Sequence, residues 1–430
     1  MKHRFSIIFI CFLLFSSINA SADKTDKLIQ LLIDKKIISS EEADSIMDEL
    51  EEGDKEKAAK KIKKAAGESS YDKADENKDL KYNRGMLFNT FDNNYSMRLN
   101  ARFLGVFYHE NPDSGPSEST FRTRRARILL SGNLYAPWLK YNTQVTLEGS
   151  SLAARDIYME ANYFKQIVPR FGQFKVPFDR EMLNGGFNLQ LIERSIASQE
   201  FSLDRDIGLQ VSGKVTSNSS IEYAVGIFNG SGINRSNVDN DYIYAGRLEW
   251  LPFGPFPYSE SAVDSPSSVK FALGIAGAYM PGLEPGERAT LAGRLGNTSI
   301  MPVESDVTQW TIDLVYNYHN FSLAGGYYYR IIDPEEITAY GKQHARGAYL
   351  QSGFFLIPKH LEIVGRYSYI DPDNPVQIND NEKKEYAAGL NYYLDGHNAK
   401  TGINYSYFKT DSESGNEDEY VIRTHVTLQF

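Results

Sequence analysis

Arg125 and Arg127 stand two residues apart, and Arg98 and Arg102 four apart. In an extended chain, even spacing puts side chains on one face. Guanidinium groups gathered on a face can replace water around a small anion in bidentate fashion, and an ammonium group adds a point charge. If that face lines a path, several moderate sites serve better than one tight one, because a solute must leave as well as enter. With Lys175, Arg194 and Arg247, these residues are the candidate pore-lining, anion-binding groups.

Alternating strands must position them. Tyr95, Met97, Leu99, Ala101, Phe103 and Phe107 form an apolar face against Ser96, Arg98, Asn100 and Arg102. The polar stretch Asn111 to Thr120 follows, then a strand through Arg125, Arg127 and Leu129 to a turn at Ala136-Pro137. The same walk predicts strands near 139–148, 156–163, 169–177, 206–214, 220–228, 242–251, 269–279, 307–318, 321–330, 346–355, 361–369, 384–393, 399–408 and 420–430. With the first two, that makes sixteen. The final strand alternates Tyr420, Ile422, Thr424, Val426, Leu428 and Phe430 against Val421, Arg423, His425, Thr427 and Gln429. The expected fold is all-β, a 16-stranded antiparallel transmembrane β-barrel, with short turns on the periplasmic side, longer loops outside and both barrel ends on one side.

The flanking segments fit that placement. Lys2 and Arg4 precede an apolar run from Phe5 to Phe15 and then Ala20-Ser21-Ala22, which reads as a signal peptide over 1–22. Cys11, the single cysteine, lies within it, so the mature chain is expected to have no disulfide. Residues 23–80 carry 17 acidic and 12 basic residues and one aromatic, Tyr71. Ser39 and Glu42 have capping-box spacing before Ala43, Ile46, Met47 and Leu50, so a short periplasmic helical segment is expected, a candidate for peptidoglycan or periplasmic contact. The barrel is expected over 81–430, where 50 aromatics suit membrane-interface girdles facing outer-membrane lipid. Without Lys2 and Arg4 the formal charge is −12, which disfavours nucleic acid.

The predicted register turns thirteen basic side chains inward against eight acidic ones, so an acidic chain encloses a basic lumen. The acidic surplus falls in the helical segment and in loops, as in Asp411 to Glu419. Loop charges are screened within about 10 Å, whereas charges on a low-dielectric wall focus their field on passing ions. Counting outward loops, the third runs over 178–205, with Gly185-Gly186 and a helical piece expected at Leu189 to Ala197. A sixteen-stranded barrel encloses an open aqueous lumen unless something narrows it, and this loop folded inward would do so.

Arg124-Arg125-Ala126-Arg127, Phe171-Gly172-Gln173-Phe174-Lys175-Val176-Pro177-Phe178, Glu193-Arg194-Ser195, Arg205-Asp206-Ile207-Gly208, Phe228-Asn229-Gly230-Ser231-Gly232 and Ala245-Gly246-Arg247-Leu248 occur in that order. In this the chain resembles the phosphate-selective porin O and P family, most specifically over 120–250. The resemblance implies a homotrimeric outer-membrane porin whose lysines and arginines conduct inorganic anions such as phosphate. Arg125, Arg127 and Lys175 fall on its motif positions.

Enzymatic readings find no support in spacing. His319, His344, His360, His397 and His425 are scattered without metal-ligand spacing, and no serine elbow or phosphate loop accompanies them, so neither catalytic residues, metal nor cofactor are expected. Two alternatives to an anion channel remain: a general or sugar-conducting porin, and a structural or adhesive surface barrel.

Overall fold

The computed structural model describes Ala43 and residues 81–430, except 83–84, 91–92, 114, 149–151, 217–219, 238, 285–300, 302, 336–340, 373–381 and 413–414. The chain divides into two units, Met1–Lys78 and Asp79–Phe430. The leader expected over 1–22, and the helical segment over 23–80 apart from the helical Ala43, lie outside the described residues.

A short pair, β1 (Lys81–Tyr82) and β2 (Met86–Asn89), precedes the barrel. Its first half comprises β3 (Ser96–Pro112), β4 (Glu118–Asn133), β5 (Leu139–Thr146), β6 (Ala153–Ala161), β7 (Val168–Lys175), β8 (Arg205–Lys214), β9 (Ile221–Phe228) and β10 (Ile243–Trp250). The second comprises β11 (Lys270–Leu283), β12 (Ser305–Tyr318), β13 (Phe321–Pro334), β14 (Gln343–Ile357), β15 (Leu361–Asp371), β16 (Glu382–Asp395), β17 (Ala399–Ser412) and β18 (Gly415–Gln429). Each pairs antiparallel with the next, and β18 returns to β3, where Leu428 faces Phe103. Phe430 finishes the closure by exchanging backbone hydrogen bonds of 2.9 and 2.7 Å with Ala101. The sixteen strands read from alternation are all present among the described residues.

Two hairpins extend beyond their expected ends. Both ends of the polar stretch 111–120 are strand, with Glu110 facing Glu118, and Asp411 faces Asn416 in what was expected to be loop. Backbone groups must find partners whatever the side chains carry, so a hairpin in register keeps pairing into polar sequence. At the opposite end the turns are tight: His319 and Asn320 alone join β12 to β13, with His319 at φ 50°, as a two-residue hairpin turn demands.

The outer face is apolar and exposed, as at Ile312, Leu350, Leu390 and Ile403, with Tyr244, Trp250, Tyr279, Trp310 and Tyr318 among its aromatics. Arg423, His425 and Thr427 are buried within, alternating with exposed Ile422, Val426 and Leu428. An apolar exterior around a hydrogen-bonded polar interior is stable against lipid and unstable against water.

What fills the interior is the connection between β7 and β8. Two short helices, α1 (Arg180–Leu183) and α2 (Ile196–Phe201), flank an extended run. The helix expected at Leu189 to Ala197 therefore starts seven residues late. The reason is that side chains from elsewhere capture the run's amides: Gln190 N donates to Glu260 at 2.9 Å and Ile192 N to Asn404 Oδ1 at 2.8 Å. Wall glycines make room for it, since a Cβ at Gly389 would lie 2.8 Å from Leu191, and one at Gly353 would collide with the Gln190 amide. The loop dips to the turn end, where the Gln190 side chain meets Ser322 and Glu362, second residues of their strands. It then climbs back, with Ala197 N on Ser368 and Arg330 on Glu200.

The turn end holds one exception to its short connections. Six of them have two to six residues, whereas residues 251–269 between β10 and β11 number nineteen. Phe256, Glu260, Ser261, Ala262 and Val263 of this segment are buried.

Two outcomes follow from this architecture. Ile312→Arg, at the middle of β12's outer face, is expected to lower stability by roughly 2–4 kcal/mol in urea unfolding from lipid vesicles; an unchanged midpoint would contradict the outward assignment. In loop 3, burial raises the Glu181 carboxyl from 4.5 to about 8, against the opposing pull of Arg366. A raised folded pKa stabilises the fold fully below 4.5 and ceases to do so as pH climbs through about 8. Stability is thus expected to fall across that window and the slope to flatten in Glu181→Gln; identical pH profiles would remove Glu181 as the cause.

Candidate functional site

Loop 3 bonds to the inner faces of β10 and β12–β17, and it also reaches β3, β4 and β7 at Tyr108, Arg124, Arg125 and Lys175. On β3 and β4 the register aligns Arg98 with Ser131, Arg102 with Arg127, Leu104 with Arg125 and Val106 with Arg122. From the Arg98 level to the Arg122 level is about 27 Å at ~3.4 Å per residue. A file of guanidinium groups thus runs along this seam.

Two β-bulges thicken the file. Leu104 faces Arg125 while Gly105 faces Thr123, so Arg124 is the extra residue on β4. Gln144 faces Asp156 while Val145 faces Ala154, so Arg155 is the extra residue on β6. A bulge breaks alternation and lets two successive side chains share a face. Arg124 accordingly reaches loop 3, donating from Nε and Nη2 to Glu193 at 2.5 and 2.8 Å, while buried Arg125 does the same through the Gly186 and Ile192 carbonyls at 3.1 and 3.2 Å. Burial alone would raise Glu193, but Arg124 and Arg125 outweigh it and hold the carboxyl down at about 2. Arg155 lies 3.6 Å from Asp204, which also accepts from Arg205 at 2.8 Å.

The seven residues singled out from the sequence separate into two groups. Arg125, Lys175, Arg194 and Arg247 hold the loop. Lys175 donates to the Leu183 and Asn184 carbonyls at 3.0 and 2.9 Å, and Arg194 to those of Glu181, Met182 and Asn184. Arg247 spends its guanidinium on Phe178 O at 2.8 Å and on both Asp313 oxygens at 2.7 Å. None of these four is laid out as an open anion contact, because carbonyls and carboxylates occupy their donors.

Arg98, Arg102 and Arg127 form the second group. Arg98 and Arg102 have no carboxylate within ion-pair distance among the described residues, and Arg127 reaches Glu148 at 3.3 Å. Arg98 lines a cavity of about 310 Å³ with Lys140, Tyr158 and Glu160. The loop residue Phe187 lies beneath the other two, its ring centre 5.9 Å from the Arg102 guanidinium and 5.6 Å from that of Arg127. Phe187, Arg122, Arg155, Arg170 and Arg205 escaped the candidate set. Consecutive charges at Arg124-Arg125 and Arg155-Asp156 were the available signals for bulges, whereas nothing in the local pattern marked Phe187.

The family model for the phosphate-selective porin O and P matches residues 97–430. No curated protein matches the sequence. Among solved structures, the anion-selective porin from Comamonas acidovorans is similar at a TM-score of 0.54 and 13% identity, covering 78% of this chain and 100% of its own. The outer membrane channel DcaP of Acinetobacter baumannii gives 0.52 and 12%, with 80% and 99% covered. In-vitro folded OmpT, an outer membrane protein of Vibrio cholerae, gives 0.51 and 11%, with 81% and 99% covered. At such identities the likeness is one of fold. Family and fold together make the molecule an outer-membrane channel and not an enzyme. The match extends from the start of the first barrel strand to the terminal Phe430, and on it the chain belongs to the phosphate-selective porin O and P family.

Proposed function

We propose that this channel passes small inorganic anions, phosphate among them, by passive diffusion along the β3–β7 wall, through a lumen narrowed by loop 3. The observation that carries the reading is Arg102 directly opposite Arg127. Like charges facing each other across antiparallel strands are destabilising. Arg127 has Glu148 at 3.3 Å, whereas Arg102 has no carboxylate within ion-pair distance among the described residues, so one guanidinium of the facing pair keeps its charge uncompensated. An anion between the guanidinium groups removes the repulsion, and Phe187 holds both without adding a negative charge.

Charge distribution across the lumen supports the same route. On the loop side Arg180, Arg247, Arg330 and Arg366 each have a buried carboxylate partner, so that half offers a passing ion little net field. The seam side keeps bases at Arg98 and Arg102 that have no carboxylate partner among the described residues. Arginine suits a tetrahedral oxyanion because its planar fork binds two oxygens at once. The family resemblance adds a homotrimer to this reading, which cross-linking of the purified protein would count.

In a planar bilayer under a potassium chloride gradient, the reversal potential is expected to report anion preference; cation preference would sink the proposal. Charge-assisted hydrogen bonds contribute ~1.5–3 kcal/mol, so Arg102→Ala with Arg127→Ala is expected to weaken phosphate block of chloride current roughly ten- to hundredfold. An unchanged block in the double variant would assign phosphate to other residues.

A further inference from the structure

The nineteen-residue connection 251–269 has no part in the seam, yet it is built into the lumen from the turn end. The Glu260 carboxylate accepts from Gln190 N at 2.9 Å and Asn184 Nδ2 at 3.3 Å, both in loop 3, and from Gln351 Nε2 of the wall at 3.0 Å. Ser261 Oγ donates to Glu362 at 2.9 Å, and Asn317 Nδ2 to Ser261 O at 3.2 Å. Arg180 of α1 donates to Pro257 O and lies over the rings of Phe256 and Tyr258 at 5.2 and 4.7 Å. Loop 3 from one end and this segment from the other therefore meet inside the barrel, joined by buried hydrogen bonds.

Beside the junction a cavity of about 470 Å³ remains. Tyr258 and Ser259 of the segment border it, and Asn100, Arg102, His397 and Gln429 of the barrel face them. Arg102 borders this cavity and also belongs to the basic seam, where it faces Arg127. We propose that residues 251–269 form the periplasmic half of the constriction: their Tyr258–Ser259 edge walls the exit of the solute path, and Glu260 keys that edge to loop 3. A passage bordered by both segments has its width set by both, so this turn governs conductance as directly as loop 3 does.

The inference rests on the channel reading but not on its ion preference, so it is tested by conductance in potassium chloride whatever the sign of the carrier. In a Cys11→Ala background, which removes the single native cysteine, Ser259→Cys is reconstituted and recorded before and after a methanethiosulfonate reagent is added. Both an anionic sulfonate reagent and a cationic trimethylammonium reagent are expected to cut single-channel conductance by half or more, because either fills the exit. Complete labelling by mass with unaltered conductance would overturn the assignment. Glu260→Ala, checked for folding by heat-modifiable gel migration, is expected to raise conductance about twofold and to increase open-channel noise. Wild-type conductance and noise in a folded Glu260→Ala channel would show that Glu260 keys nothing.

Discussion

A loop of some thirty residues placed inside a barrel must have its backbone polar groups satisfied there, and this requirement governs the interior. Stranded amides and carbonyls in a confined site cost free energy comparable to lost hydrogen bonds. The wall meets the requirement with side chains: Asn404, Ser368, Arg366, Asn391 and Lys400 all bond to the backbone of loop 3. Those residues come from the inner faces of β15, β16 and β17, and Arg124, Arg125 and Lys175 add holds from β4 and β7. Arg98 and Arg102 on β3 make no bond to the loop backbone among the described residues.

That division explains the arrangement of charge. Bases committed to the loop act as donors to carbonyls or as members of buried pairs, as in Arg247 with Asp313 or Arg366 with Glu385. Removing one member of such a pair leaves the other uncompensated, which makes these contacts structural before they are functional. On the seam Arg102 and the buried Arg127 face each other at the level where Phe187 projects from the loop. The loop therefore does two things. It occupies part of the barrel interior, and it places an aromatic ring against two guanidinium groups of the wall.

Strand count, order and the inner face of β18 were legible in the sequence because a period of two with an apolar outer side leaves a direct mark on residue order. Bulges break that period by one residue, so the inward positions of both Arg124 and Arg125, and of both Arg155 and Asp156, become certain only with the register. The division of candidates into loop-holding and open groups was not legible either. Lys175 and Arg247 look no different from Arg102 in sequence, and what separates them is a bond to a loop carbonyl, Asn184 O for Lys175 and Phe178 O for Arg247. The long connection 251–269 was visible as a gap between strands, but its inward path depends on Glu260 finding Gln190, seventy residues away in sequence. Such pairings leave no periodic trace.

The central claim is that anions are held between Arg102 and Arg127, and anomalous diffraction reads it most directly. Crystals of the reconstituted trimer or monomer soaked in selenate, a tetrahedral oxyanion, would be mapped at the selenium edge. The account predicts an anomalous peak between the two guanidinium groups, within hydrogen-bonding reach of both and beside the Phe187 ring. Ordered guanidinium density with no peak there, and selenate bound elsewhere in the lumen, would contradict it.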